Sequence, residues 1–144
     1  MMDARVFQWG EICAGDDRDY RAIEPHFVTG NGFENKRIIQ VACGNSHTLA
    51  LTSEGQVYSW GNNSDGQLGT GIVEGHEVKP AKISGKNEFD SRISYIACGE
   101  WTSFALDEGG NVSGTLLNCY IYSYRRLCQI CLAITGLVVG QLAV

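Results

Sequence analysis

The chain repeats itself. Arg37–Val57 reads RIIQVACGNSHTLALTSEGQV, and 55 residues later Arg92–Val112 reads RISYIACGEWTSFALDEGGNV. Nine of the 21 positions are identical, and others keep their character, such as Val41 with Ile96 and Leu49 with Phe104. The same shift sets Pro25-His26-Phe27-Val28 on Pro80-Ala81-Lys82-Ile83. A shift of 51 sets Val6-Phe7-Gln8-Trp9-Gly10 on Val57-Tyr58-Ser59-Trp60-Gly61. A period of this size means one supersecondary unit copied and stacked on its neighbours, with length differences confined to loops.

Each unit reads as short strands. His47–Thr52 alternates in size and polarity, Ser53-Glu54-Gly55 supplies a turn, and Gln56–Trp60 follows, rich in β-branched and aromatic residues. Asp107-Glu108-Gly109-Gly110 makes the same turn in the second copy. These pairs predict β-hairpins closed by glycine-bearing loops. Ile38–Ala42 and Ile93–Ala97 form another strand type, each ending in Cys-Gly. Gly44 and Gly99 then mark a bend or a close approach of backbones. Eighteen glycines against only two prolines suit many tight turns. A period of about 50 residues built from such strands predicts an all-β fold of β-propeller blades, about two of them.

The charge divides the chain. Residues 1–112 carry nine basic and sixteen acidic side chains, whereas residues 113–144 carry only Arg125 and Arg126. The net charge of −5 argues against a nucleic-acid binder held by phosphate contacts. No apolar core follows the basic start that a secretory signal would have. The cysteines at 13, 43, 98, 119, 128 and 131 are therefore read as reduced, small buried side chains of a cytoplasmic or nuclear protein. Two units are expected: partial propeller repeats over 1–112 and a non-repeat apolar tail over 113–144. Leu127–Val144 is uncharged and just long enough to be a membrane-span candidate, but its glutamines and glycines favour an incidental apolar stretch.

The run VACGNSHTLALTSEGQVYSWGNNSDGQLGTG, Val41 to Gly71, resembles the repeat of the regulator of chromosome condensation family. That repeat carries C-G-x-x-H-T-x-A-L, then G-x-V-y-x-W-G, then N-x-x-G-Q-L-G-x-G. The residues bearing the likeness are Trp9, Gly10, Cys43, Gly44, His47, Trp60, Gly61, Gly66, Leu68, Gly69, Cys98 and Gly99. The second copy departs at Trp101-Thr102, and after Val112 the family's Tyr-Ser-Trp-Gly is replaced by Ser113-Gly114-Thr115-Leu116. The resemblance covers about residues 5–112 and implies a seven-bladed propeller of which this chain holds about two repeats. A fragment, a short splice form or a misjoined gene is the expectation, with residues 1–112 folding only as part of something larger.

The resemblance also implies protein partners, among them small GTPases such as Ran and, in some members, chromatin, which the charge does not favour. Guanine-nucleotide exchange is the best-known activity. The alternative is a substrate-recruiting propeller piece of a larger ubiquitin ligase or protein kinase. Partner contacts are expected from Asp16, Asp17, Asn62, Asn63, Asp65 and Gln67, on the loops Glu11–Arg18, Asn62–Gly71 and Ile72–Glu77. Light sensing of the plant ultraviolet-B kind is disfavoured, since neither Gly44–Thr48 nor Gly99–Ser103 reads G-W-R-H-T.

No enzyme motif stands out, and no cofactor is expected. Cys43 and His47 lack two further ligands at zinc spacing, so His47 is read as a buried, hydrogen-bonded core histidine. Cys128-Gln-Ile-Cys131 lacks the strand-to-helix setting of a redox motif. Gly61–Gly71 has no Gly-Lys-Ser/Thr ending, so it is a turn-rich loop with Leu68 as its anchor, not a phosphate cradle. Trp9, Tyr58 and Trp60 are expected to fill the space between blades.

Overall fold

The structure, a computed structural model, describes residues 5–12, 20–73, 75–83, 91–116 and 120–125. Its strands are β1 (Phe7–Ile12), β2 (Tyr20–Phe27), β3 (Ile38–Cys43), β4 (His47–Thr52), β5 (Val57–Asn62), β6 (His76–Lys82), β7 (Ile93–Cys98), β8 (Ser103–Asp107), β9 (Asn111–Leu116) and β10 (Tyr120–Arg125). They make three antiparallel sheets: β1–β2, then β3-β4-β5-β6, then β7-β8-β9-β10. The repeat seen in the sequence is the repeat of the fold. Shifted by 55, β3 falls on β7 and β4 on β8, and each sheet runs in chain order.

The hairpin turns follow from glycine. Gly55 has φ +76° and donates its N–H to the Thr52 carbonyl (2.9 Å), while Gly110 has φ +81° and donates to Asp107 (3.1 Å). The following strand is tied back in both copies. Thr52 Oγ1 accepts the Gln56 N–H at 3.1 Å, and Asp107 Oδ1 accepts the Asn111 N–H at 2.7 Å.

The middle sheet is covered on both sides, which is why β4 and β5 are buried almost throughout. Alternation sorts their side chains. Ala50, Tyr58 and Trp60 join Val28, Phe33 and Ile38 on one face, with Val6 of the first unit packed against them. Phe33 meets Tyr58 and Trp60 edge-on, with centroids 5.3 and 5.5 Å away. The indole N–H of Trp60 donates to Gln8 Oε1 at 2.9 Å, so its one polar group is satisfied. On the other face Leu49, Leu51, Val57 and Ile83 meet Ile93, Ile96 and Ala105 of the third sheet. The Gln40 amide joins the two inner strands there. It donates to the Ile96 carbonyl (2.7 Å) and accepts the Ile96 N–H (3.0 Å).

Two sequence expectations change. Tyr58 and Trp60 fill an interface, but Trp9 is 62% exposed. Val6 and Gln8 turn toward the middle sheet, so strand alternation turns Trp9 the other way. Cys43 is exposed rather than buried, because Ala42 takes the covered side of β3. The sheet also runs on past Val112. Strand pairing is a main-chain matter, and Ser113 and Gly114 pair with Ala105 and Phe104 although the aromatic positions are lost. β10 then pairs with β9 along its whole length. Among the described residues no helix is long and apolar enough to cross a membrane. Leu127–Val144, with Cys128 and Cys131, lies outside the described residues.

Candidate protein-interaction face

Loops 44–46, 63–73 and 99–102 leave the stacked sheets at the same end, where β3, β5 and β7 finish. Close backbone approach shapes this end. A Cβ on Gly44 would lie 2.1 Å from His47 Cε1 and 2.7 Å from the Gly99 carbonyl oxygen. A Cβ on Gly61, where φ is +111°, would lie 2.4 Å from the Ser46 oxygen. Only glycine lets the imidazole sit directly beneath the first loop.

His47 is buried, and its Nε2 lies 3.0 Å from Ser103 Oγ. Ser103 gives its single hydroxyl proton to the Gln67 carbonyl at 2.6 Å, so Nε2 must be the donor to Ser103. That fixes the Nε2–H tautomer. Burial holds the imidazole below its ordinary pKa, and the Thr102 backbone opposes this more weakly. Ser103 N–H also donates to Thr115 Oγ1 at 2.9 Å. His47 is therefore a neutral tie between the second and third sheets, and Nδ1 has no partner. Cys98, nearby on β7, has its thiol pushed up to about 12, first of all by burial.

The longest loop is built from its own polar side chains. Asn62 Oδ1 accepts the Ser64 N–H (2.7 Å) and Gln67 Nε2–H (3.4 Å), and Gln67 Oε1 accepts the Asp65 N–H (2.9 Å). Asn63 accepts the Leu68 N–H at 3.1 Å and donates to the Ile72 carbonyl at 2.8 Å. Leu68 is buried beneath, and its carbonyl accepts from Ser59 Oγ at 2.9 Å. Of the residues expected to meet a partner, Asn63 and Gln67 are buried within the loop's own hydrogen bonding, Asn62 is half-buried, and Asp65 is half-buried at the rim. Asp16 and Asp17 lie outside the described residues. What the end offers to solvent is Asn45, Ser64, Ile72, Glu100 and Trp101. Trp101 is exposed at this end without being among the residues expected there, although a tryptophan standing where the first copy has Ser46 is a readable signal.

Chemically, this end is a surface whose loops are tied to one another by hydrogen bonds. Among the described residues no three His, Cys, Asp or Glu side chains gather to hold a metal. A cleft of about 270 Å³, open mouth included, lies between the second and third sheets and is lined by Leu49, Val57, Leu68, Phe104, Ser113 and Thr115. It exists because Ser113 and Thr115 stand where the 55-residue register has Tyr58 and Trp60.

Stacked antiparallel sheets with one laced loop end define a segment of a β-propeller. The chain belongs to the family of regulator of chromosome condensation (RCC1) repeat proteins, whose repeat matches residues 3–51 and 54–106, with a second description of that repeat matching 38–67. It is 43% identical over 115 residues to the RCC1 domain-containing protein RUG3, mitochondrial, of Arabidopsis thaliana, covering 76% of this chain and 24% of that one. It is 34% identical over 115 residues to the human probable E3 ubiquitin-protein ligase HERC6, covering 76% of this chain and 11% of that one. A human RCC1-like G exchanging factor-like protein is 36% identical over 80 residues, 55% of this chain and 17% of that protein. The chain thus spans a quarter or less of these relatives. The crystal structure of human WBSCR16 superposes with a TM-score of 0.72 at 18% identity, over 85% of this chain and 34% of that one. Prp20p from Saccharomyces cerevisiae, described with its binding properties to Gsp1p and histones, superposes at 0.65 with 22% identity, over 85% and 33%. Both likenesses speak for the fold.

Proposed function

We propose that this chain is a non-catalytic protein-interaction segment of a propeller, and that its loop end holds part of a protein partner, a small GTPase undergoing guanine-nucleotide exchange being the first candidate. The observation that carries this is the lacing of loops 44–46, 62–72 and 99–103 into one surface. The Asn45 N–H donates to Glu100 O (3.1 Å), the Asn62 N–H to Ser46 O (2.8 Å) and Ser103 Oγ to Gln67 O (2.6 Å). A surface fixed before binding loses little conformational entropy when a partner docks. The relative named as G exchanging factor-like and the binding of Prp20p to Gsp1p support the exchange reading. The likeness to a probable ubiquitin ligase supports the alternative, a substrate-recruiting segment of a larger ligase. Chromatin is disfavoured by the net charge of −5.

Within this reading residues 1–112 carry the propeller repeats and residues 113–144 depart from them in sequence, although the strands that reach Arg125 still belong to the third sheet. The protein is one of the cytoplasm or nucleus, with a membrane anchor in residues 127–144 as the minor alternative. Asp16, Asp17, Asn62, Asn63, Asp65 and Gln67 shape or border the contact, Asn63 and Gln67 by holding the loop and Asp65 by facing outward. The test is release of labelled GDP from a small GTPase, with the native chain and with Asp65→Lys. Faster release that Asp65→Lys weakens supports exchange. GTPase capture that Asp65→Lys weakens, without faster release, supports a binding segment alone. Neither capture nor release contradicts the GTPase reading.

A further inference from the structure

We infer that Trp101, with Glu100 beside it, is an anchor for an arginine or lysine side chain of the partner protein, the cation lying on the indole face and pairing with the carboxylate. This rests on the loop end being the partner-binding surface and names the chemistry it recognises.

The turn itself does not call for a tryptophan. In the first copy Gly44 N–H donates to His47 O at 2.8 Å, and in the second Gly99 N–H donates to Thr102 O at 2.8 Å. The same turn is made with Ser46 at the position of Trp101. Nor is the indole used in packing between sheets, as Trp60 is. Trp60 is 3% exposed and Trp101 44%. A large apolar ring left in water at a fixed turn loses most of what its burial would contribute, so the fold gains little from it. Fixed, half-exposed tryptophans of this kind are what protein interfaces use as anchors.

Charge selects the kind of partner. Glu100 is exposed next to Trp101, and Asp65 and Glu77 belong to the same end, Glu77 opposite Gly61. Among side chains described, the cations Arg5, Lys36, Arg37, Lys82 and Arg92 sit at the other end, around the β4–β5 turn and its counterparts, and Lys79 lies midway along β6 with its side chain against Gly30. Lys36 pairs there with Glu54 (2.9 Å) and Arg92 with Glu108 (3.5 Å). The loop end thus offers an aromatic face and carboxylates, the combination that draws a guanidinium or ammonium. A phosphate backbone would be repelled by these carboxylates.

The probe is a fluorescein-labelled peptide of alternating glycine and arginine, read by anisotropy at low salt against the 144-residue chain. Trp101→Ser copies the first repeat and keeps the turn, so the fold is retained. It should weaken binding about five- to thirtyfold, the range of a partly desolvated cation–π contact. Trp101→Phe should keep much of the affinity, and Glu100→Gln should lower it a few-fold at low salt and hardly at all at high salt. Trp9→Ser, which alters another exposed indole, should leave binding unchanged. Equal binding by Trp101→Ser and the native chain overturns the inference, as does an equal loss from Trp9→Ser. Preference for labelled oligothymidine over the peptide also overturns it. If Asp65→Lys weakens GTPase capture while Trp101→Ser leaves the peptide bound, the inference falls and the interaction segment stands.

Discussion

The middle sheet meets its two neighbours in different ways. Toward β1–β2 it presents aromatic rings: Phe33, Tyr58 and Trp60 fill the space, and one hydrogen bond to Gln8 satisfies the only buried indole N–H. Toward β7–β10 it presents Leu49, Leu51 and Val57, and the joint is completed by polar ties through Gln40, His47 and Ser103. The repeat explains the contrast. Positions that carry Tyr58 and Trp60 in one copy carry Ser113 and Thr115 in the next, so the second joint loses ring volume and keeps a cleft. What it has instead is hydrogen bonding across the joint, since Ser103 Oγ donates to the Gln67 carbonyl and lies 3.0 Å from His47 Nε2. One strand frame is thus closed by bulk on one side and by hydrogen bonds on the other.

Breaking the aromatic joint should cost most. Trp60→Ala is expected to lower unfolding free energy by about 3–5 kcal/mol, read as a shifted urea midpoint. Trp9→Ala, at a position 62% exposed, should change it by less than about 0.5 kcal/mol. Equal effects would mean that the two tryptophans share one environment. Gly44→Ala places a methyl group against His47 and the Gly99 carbonyl and should cost roughly 1–3 kcal/mol. Gln40→Leu removes the amide that pairs with both backbone groups of Ile96 and should cost about 1–2 kcal/mol, acting on the third sheet first.

A further effect is that of pH. His47 is neutral in the folded chain, with its pKa held below the ordinary 6.5. Below pH 6.5 the unfolded chain takes up the proton more readily, so stability is full above that value and falls as pH drops toward the folded pKa. His47→Gln should flatten the slope of the urea midpoint between neutral and mildly acid pH. An unchanged slope would mean that His47 takes up its proton as readily in the fold as in the unfolded chain.

Much of this architecture was legible because both copies keep apolar residues at the same strand positions, and turns at Gly55 and Gly110 mark where each hairpin folds. The environment of a position was harder to read than its strand. Trp9 and Trp60 occupy the same place in the motif, yet only Trp60 has a sheet across from it among the described residues. Cys43 and Cys98 differ for the same reason. The loop was misjudged more deeply. Asn63 and Gln67 are polar and lie between strands, which reads as a solvent-facing surface. Instead they satisfy the loop's own peptide groups, because a loop that folds over Leu68 buries N–H and C=O groups that need partners. Trp101 was legible by comparing the copies, since nothing in its turn requires more than the serine of the first.

The account stands on the third sheet packing against the middle one, and the two equivalent cysteines report on that directly. Native protein is treated briefly with iodoacetamide at mildly alkaline pH, and each cysteine's modification is read by peptide mass spectrometry. Cys43 is exposed, whereas Cys98 lies against the joint with its thiol at about 12. Cys43 should be alkylated in the native protein and Cys98 only once urea opens the fold. Equal alkylation of both in the absence of urea would contradict the stacked arrangement.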